Sequence, residues 1–189
     1  MPFLRLYLLL FMLFARLPAF AQEDEAPHWL QVARRHAAAI ADEGKKDLYL
    51  SGYIHHGRHT YTAERISEFN EKDAWGLGFG KTLRNGSGND ESLYVLGIND
   101  SHYKLQWMAG YAYMRVWPLG HSGFEASAGV TAQMMSRSDY FGGFPFPVAL
   151  PVAALGTRRA KLFFSYVPRL SGNKGNGDVL FMFGRIQIE

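Results

Sequence analysis

The sequence predicts an all-β protein, a closed antiparallel barrel of eight strands preceded by one helix. After residue 46 the chain contains eight runs of strand-like alternation, each close to the ~9–11 residues of a tilted membrane strand. The connections between these runs tend to alternate between compact and long. Glycine also recurs inside the runs, as expected where a small barrel curves tightly. The examples are Gly76, Gly78, Gly80 and Gly110.

Residues 1–21 are predicted to form a secretory signal peptide. Arg5 precedes a short apolar run over residues 6–15, Pro18 interrupts it, and Ala19-Phe20-Ala21 matches an A-x-A cleavage site. The apolar run is too short to span a bilayer as a helix. We therefore expect export and a mature chain that starts at Gln22, so that residues 22–189 form one domain.

Composition narrows the functional classes. The 189 residues contain no cysteine, which excludes a disulfide framework, a thiolate metal site and a cysteine nucleophile. The formal net charge is +3, and two of the basic residues, Arg5 and Arg16, lie in the predicted leader. The remaining charges are mixed in sign without a polybasic run, so we expect no nucleic-acid partner.

The first element of the mature chain is an amphipathic helix, predicted over residues 27–43. Pro27 suits its first turn and Gly44 suits its end. The helix could pack on a soluble core, or it could lie in a membrane interface with Trp29 at headgroup level. Its apolar face is formed by Trp29, Leu30, Ala33, Ala37, Ile40 and Ala41.

The barrel is predicted over residues 47–188. Compact connections at one rim and longer ones at the other are typical of outer-membrane barrels, although the connection after Ser101 is short. A soluble barrel of the lipocalin kind is the open alternative, because it also has eight strands. Aromatic residues near the strand ends fit a membrane-interface girdle: Tyr49, Trp75, Tyr94, Trp107, Trp117 and Tyr166. The predicted strands are 47–56, 74–83, 91–100, 106–117, 123–135, 148–156, 160–167 and 178–188.

Two polar segments end strands that run in the same direction, so both are expected at the rim with the long loops. One ends at His56 and the other at Asp100-Ser101. An acyl transfer needs a base and donors for the developing oxyanion. His56 suits the base, Asp100 could orient it, and Ser101 could be the nucleophile or an oxyanion donor. The alternative is a set of polar residues at a wet rim.

Other chemistries lack their motifs. His55 and His56 face opposite sides of a strand, and no H-E-x-x-H pattern occurs, so no metal site is expected. The sequence also contains no G-x-S-x-G elbow, phosphate loop or dinucleotide fingerprint. We therefore expect no cofactor.

These residues match the pattern of a known family. The chain resembles the PagP family of outer-membrane lipid A palmitoyltransferases across essentially all of the mature sequence. The order and spacing of the matching segments carry the resemblance. They include Asp47-Leu48-Tyr49-Leu50, His56-Gly57-Arg58, Phe69-Asn70-Glu71, Trp75-Gly76-Leu77-Gly78-Phe79-Gly80, Asp100-Ser101, Ala109-Gly110-Tyr111, Leu150-Pro151, Tyr166-Val167-Pro168 and Gly175-Asn176-Gly177-Asp178-Val179.

The resemblance implies a tilted transmembrane barrel in the cell outer membrane, with the helix on the periplasmic side. It implies transfer of a palmitoyl chain from the sn-1 position of a glycerophospholipid to a hydroxyl of lipid A. The family's catalytic His, Asp and Ser fall on His56, Asp100 and Ser101. The division of labour between His56 and Ser101 stays open. The expected partners are the phospholipid donor, the lipid A acceptor and the bilayer, with the protein a monomer or homodimer.

The resemblance also implies substrate contacts. Pro151 and Pro168 match prolines at the family's lateral opening between strands six and seven. Ser51 and Ala74 replace the prolines of its second opening, which leaves the route of lipid A open. Arg137 and Asp139, in a long outer loop, are candidate substrate contacts.

A glycine on the fourth strand forms the floor of the acyl slot in the family, and this chain has Ala112 there. The additional methyl group predicts an acyl chain slightly shorter than palmitate, or weaker selectivity for palmitate. Two other functions stay open, namely a non-catalytic outer-membrane barrel used for adhesion or structure, and a soluble periplasmic lipid carrier.

Overall fold

The computed structural model describes residues 27–137, 141–169 and 177–188, in which eight strands form a closed barrel. Each strand pairs antiparallel with its neighbours in chain order, and the last strand pairs with the first. The predicted all-β, eight-stranded antiparallel fold is therefore confirmed. The strands are β1 (Lys45–His56), β2 (Gly76–Arg84), β3 (Asp90–Asn99), β4 (Leu105–Pro118), β5 (Phe124–Met135), β6 (Phe146–Thr157), β7 (Ala160–Val167) and β8 (Val179–Gln187).

One helix, α1 (His28–Glu43), precedes the first strand, as predicted. The chain divides into two compact units after Ala37, and the second unit contains the end of α1 and the whole barrel. Within this second unit, Ile40 is fully buried, and Nζ of Lys81 on β2 donates to the carbonyl of Ala41. The predicted signal peptide and the Gln22 start lie outside the described residues. None of the described helices is long and apolar enough to cross a membrane.

Several boundaries differ from the predicted ones. β2 begins at Gly76 rather than at residue 74, because its ladder with β1 stops at the pair Ser51 and Gly76. β6 begins two residues earlier than predicted, at Phe146. The loop after β1 also contains a short helix that was not predicted, α2 (Ala63–Ser67), whose first turn is capped by the Thr62 side chain.

The barrel wall is inverted relative to a water-soluble protein. Large apolar side chains face outward from most strands, whereas polar and charged side chains fill part of the interior. An apolar exterior around a partly polar interior is the arrangement of a barrel that contacts lipid. The exposed apolar residues on the strands include Leu50, Leu77, Phe79, Val95, Leu105, Trp107, Val130, Met134, Leu155, Leu162 and Ile186.

An ionic cluster closes the interior near the rim with the compact connections. Nζ of Lys161 lies 2.9 Å from both Asp90 Oδ2 and Glu125 Oε2. The two terminal guanidinium nitrogens of Arg84 donate to the two carboxylate oxygens of Glu125, at 3.0 and 2.8 Å. Arg185, almost fully buried, donates to the hydroxyl of Thr82 at 3.0 Å. Buried charges are tolerated when they are paired and hydrogen-bonded. In this barrel, the paired charges fill the interior near the rim with the compact connections.

Candidate active site

A cavity of about 500 Å³ occupies the other half of the barrel interior. Its walls are mainly apolar and include Ile54, Leu96 and Met108. A deep, mostly apolar cavity with a few polar groups at one end is typical of a ligand site. The polar groups at the outer end include His56, Asp100, Ser101 and His102.

His56 reaches this cavity because β1 extends past its neighbour on one side. The ladder between β1 and β2 stops at Ser51, whereas the ladder between β1 and β8 continues to the pair His56 and Val179. Glu71, from the following loop, occupies the place that β2 leaves open. Its carbonyl accepts from the amide of Ile54 at 3.0 Å, and its Oε1 accepts from the amide of His56 at 2.9 Å.

The imidazole of His56 is fixed on several sides, and its residue is only 1% exposed. Nδ1 lies 3.2 Å from Glu71 Oε1. The ring stacks on Phe69 with the centroids 4.3 Å apart, and the ring of Tyr61 meets it edge-on at 5.4 Å. These contacts restrict the ring to one orientation in the wall of the cavity mouth.

Arg58 completes this arrangement from the solvent side. Its two terminal nitrogens bind the two carboxylate oxygens of Glu71 at 2.8 and 2.7 Å, and Nη1 also donates to the carbonyl of His56 at 3.1 Å. Hydrogen bonds from Arg58 hold the pKa of the Glu71 carboxyl at about 2, well below its usual range. Glu71 is therefore a carboxylate at every pH at which the protein is expected to act.

Asp100 is buried and uses its carboxylate to shape the turn after β3. Oδ1 accepts from the amides of His102 and Lys104, both at 2.8 Å. Asp100 is predicted to orient His56, and this role stays a prediction. Among the described residues, the His56 ring nitrogen Nδ1 is contacted by Glu71 Oε1.

The loop segment that carries Glu71 also brings Ser101 to the mouth. The amide of Asn70 donates to the carbonyl of Ser101 at 2.9 Å, and the Asn70 side chain donates to the carbonyl of Asp100 at 3.2 Å. The ends of β1 and β3 are thereby tied together through one loop. Ser101 Oγ lies 3.5 Å from Nδ1 of His102. No role had been predicted for His102.

Ala112 lies at the inner end of the cavity and is 8% exposed. Alternate residues of β4 face the interior. Gln106, Met108 and Ala112 line the cavity, whereas the next interior residue, Met114, is buried and does not line it. Asp90 on β3 and Lys161 on β7 lie at that lower level, next to the ionic cluster. The position of Ala112 is consistent with the predicted floor, and its effect on acyl-chain length stays a prediction.

Pro151 and Pro168 flank a stretch where β6 and β7 are not paired. The ladder between these two described strands runs only from the pair Val152 and Ser165 to the pair Gly156 and Lys161. The hydroxyl of Ser165 donates to the carbonyl of Pro151 at 3.4 Å. Toward the outer rim both strands continue without ladder bonds to each other, so this part of the wall is held together without backbone pairing.

Two further substrate contacts were predicted, at Arg137 and Asp139. Arg137 lines the outer end of the cavity, whereas Asp139 lies outside the described residues. At the place of the family's second opening, the hydroxyl of Ser51 donates to the carbonyl of Ala74 at 2.8 Å. Throughout the described ranges, no group of three or more His, Asp or Glu side chains is placed to hold a metal ion.

Comparison with known proteins agrees with this architecture. The family model described as "Antimicrobial peptide resistance and lipid A acylation protein PagP" matches residues 36–185. A "Lipid A acyltransferase PagP" of Bordetella parapertussis is 40% identical over 162 residues, covering 86% of each chain. The protein of that name in Methylobacillus flagellatus is 36% identical over 84% of this chain and 83% of its own, and the one in Legionella pneumophila is 39% identical over 77% and 75%. The chain therefore belongs to the PagP family.

Proposed function

We propose that the protein transfers an acyl chain from the sn-1 position of a glycerophospholipid to a hydroxyl of lipid A, in the outer leaflet of the outer membrane. One observation carries this proposal: His56, Asp100 and Ser101 all line one cavity whose walls are mainly apolar. The relatives' names support lipid A as the acceptor. The apolar outer wall supports a location in the membrane, where both lipids are present.

The reaction is an exchange of esters with His56 as the proton carrier. Nε2 of His56 accepts the proton of the lipid A hydroxyl as that oxygen attacks the ester carbonyl carbon. The tetrahedral intermediate then collapses, the bond from carbon to the glycerol oxygen breaks, and that oxygen takes the proton from His56. A new ester and a lysophospholipid result, and the protein returns to its starting state.

Ser101 has two roles open to it within this scheme. Its hydroxyl can donate to the developing oxyanion, or it can attack first and form an acyl-Ser101 intermediate. Rapid quenching followed by mass spectrometry of the protein distinguishes these roles, because only the second produces an acylated Ser101 peptide. In either role, the Asp100 bonds to the turn keep Ser101 at the mouth.

The walls of the cavity suggest how the donor enters. The unpaired stretch between β6 and β7, next to Pro151 and Pro168, offers a lateral route for a phospholipid tail. The corresponding stretch of β1 is covered by Glu71.

Mass spectrometry of lipid A tests the proposal directly. Cells that express the chain should contain lipid A heavier by one acyl group, and cells that express His56→Ala should not. Unchanged lipid A in cells whose outer membrane contains the folded barrel would contradict the proposal and favour an inert barrel. Release of the protein from membranes by buffer without detergent would favour the soluble carrier.

A further inference from the structure

We infer that Glu71 is a positioning residue for His56, which holds the imidazole in the tautomer with its proton on Nδ1 and leaves Nε2 free as the base. The catalytic consequence of this role rests on the proposed function. The structural part does not, because it concerns only the contacts of the imidazole within this chain.

The first support is the geometry of the shared oxygen. Oε1 of Glu71 receives both the amide of His56 at 2.9 Å and Nδ1 of the same residue at 3.2 Å. A carboxylate oxygen can only accept hydrogen bonds. A proton on Nδ1 satisfies this contact, whereas an unprotonated Nδ1 would place two lone pairs against each other. The contact therefore selects one tautomer.

The second support is that the carboxylate is itself immobilised. Arg58 binds both of its oxygens in a bidentate pair, and it also donates to the carbonyl of His56. The side chain of Glu71 is 14% exposed, whereas that of Arg58 is 46% exposed. Arg58 thus covers the carboxylate from the solvent side, and bidentate pairs of this kind fix orientation as well as charge.

The third support is the way in which the loop fixes Glu71. Its carbonyl accepts from the amide of Ile54 on β1, and its neighbour Asn70 bonds to the backbone of Asp100 and Ser101. The backbone on both sides of the Glu71 side chain is therefore anchored to the two strands that carry the proposed catalytic residues. Such anchoring is what a positioning carboxylate requires.

Substitution of Glu71 by Met is the sharpest test. Met approximates the length of Glu but offers no oxygen to accept the proton on Nδ1, so neither tautomer of the imidazole is favoured by a carboxylate. Nitrogen-15 NMR of the histidine-labelled protein in detergent micelles reports the tautomer directly. In the wild type we expect the Nδ1–H form of neutral His56, and in Glu71→Met we expect this form to lose its dominance.

Kinetics provide the second readout. We expect Glu71→Met to lower kcat by roughly 10²-fold or more, as when the orienting carboxylate of a triad is replaced, with little change in KM. Arg58→Gln removes the bidentate partner of Glu71 but leaves the carboxylate in contact with His56. Its kcat should therefore fall less than that of the Glu71 variant. Glu68→Gln is the matched control, because Glu68 lies in the same loop and pairs only with the exposed Arg65 among the described residues. Its kcat and its His56 tautomer should equal those of the wild type.

The outcomes separate the two proposals. An unchanged His56 tautomer in Glu71→Met overturns the inference, as does a kcat within threefold of the wild type while His56→Ala is inactive. If the wild-type protein transfers no acyl chain, the proposed function fails, and the NMR spectra still decide whether Glu71 selects the tautomer. Should Glu71→Met fail to fold, the wild-type spectrum decides, because a dominant Nε2–H form of neutral His56 overturns the inference.

Discussion

Lys161 Nζ lies 2.9 Å from Asp90 Oδ2, and these residues belong to β7 and β3, which stand opposite each other in the ring of eight strands. The ion pair therefore crosses the whole interior of the barrel, with Glu125 Oε2 as a second partner of the same ammonium group. Below the cavity floor, the width of the barrel is spanned by charged groups rather than by apolar side chains.

Removal of the ammonium group should destabilise the barrel. Lys161→Met takes one donor from Asp90 and Glu125, which both keep Arg84 as a partner, so we expect a cost of about 1–3 kcal/mol. Lys45→Met, on the exposed start of β1, is the control and should cost less than about 0.5 kcal/mol. Urea unfolding in lipid vesicles measures both differences. Equal stability of the two variants would show that the ion pair contributes nothing.

Substitutions at the mouth should separate residues that face the cavity from those that face outward. His56→Ala and Ser101→Ala should lower kcat by roughly 10²–10⁴-fold, because each removes a group that handles a proton or the oxyanion. His55→Ala should stay far more active, since His55 points to the other face of β1 and contacts Tyr53. An inactive His55→Ala beside an active His56→Ala, with both barrels folded, would contradict the assignment.

Substitution of Asp100 by Asn should reduce transferase activity less than substitution by Ala. The Oδ1 atom of Asn can still accept from the amides of His102 and Lys104, whereas Asp100→Ala leaves both donors without that partner. We therefore expect Asp100→Asn to keep more transferase activity than Asp100→Ala. Equal loss in the two variants would indicate that the charge of Asp100, rather than the shape of the turn, matters for the reaction.

Acyl-chain length should respond to the side chain at position 112. Ala112→Gly lowers the floor by one methyl group, and each additional buried CH₂ is worth about 0.8 kcal/mol, roughly fourfold in preference. The preferred acyl chain should therefore become longer, and Ala112→Leu should make it shorter. Ala109→Gly, on the outward face of the same strand, is the control. Transfer assays with phospholipids of graded acyl length measure the shift, and an unchanged optimum in Ala112→Gly would exclude Ala112 as the floor.

The bonds between Glu71 and its partners should persist in mild acid. The folded-state pKa of Glu71 is about 2, below its ordinary value of 4.5, so its contribution to stability is present above pH 4.5 and is lost as the pH falls toward 2. We expect the difference in unfolding free energy between the wild type and Glu71→Gln to be constant at neutral pH and to shrink over that acid range. A difference that stays constant down to the lower pKa would contradict the assignment.

The alternation of strand residues was sufficient to predict the barrel. All eight strands were located, because a wall that separates lipid from an interior imposes a two-residue period on each strand. The errors lie at strand ends, where pairing rather than sequence sets the boundary. Ala74 is fully buried, yet it precedes β2, because the ladder with β1 has already ended at Gly76.

The site was predicted only in part. His56, Asp100 and Ser101 follow from strand direction, since β1 and β3 end at the same rim. Glu71 was noted only as part of a segment that matches the family and was given no role, because it lies in an irregular loop, where no period relates a side chain to the strand that it contacts. Thr62 caps α2, but nothing in the spacing indicated that the residues after this helix fold back onto His56.

The proposed site is complete only after the barrel has closed. The site depends on residues more than a hundred positions apart, because the amide of Gly57 donates to the carbonyl of Asp178, and Thr60 bonds to the carboxylate of the same residue. These contacts form only after the last strand has joined the first. A chain whose last strand has not yet joined the first thus lacks a complete site, so the order of assembly alone keeps an unfinished barrel from acting on the lipids around it.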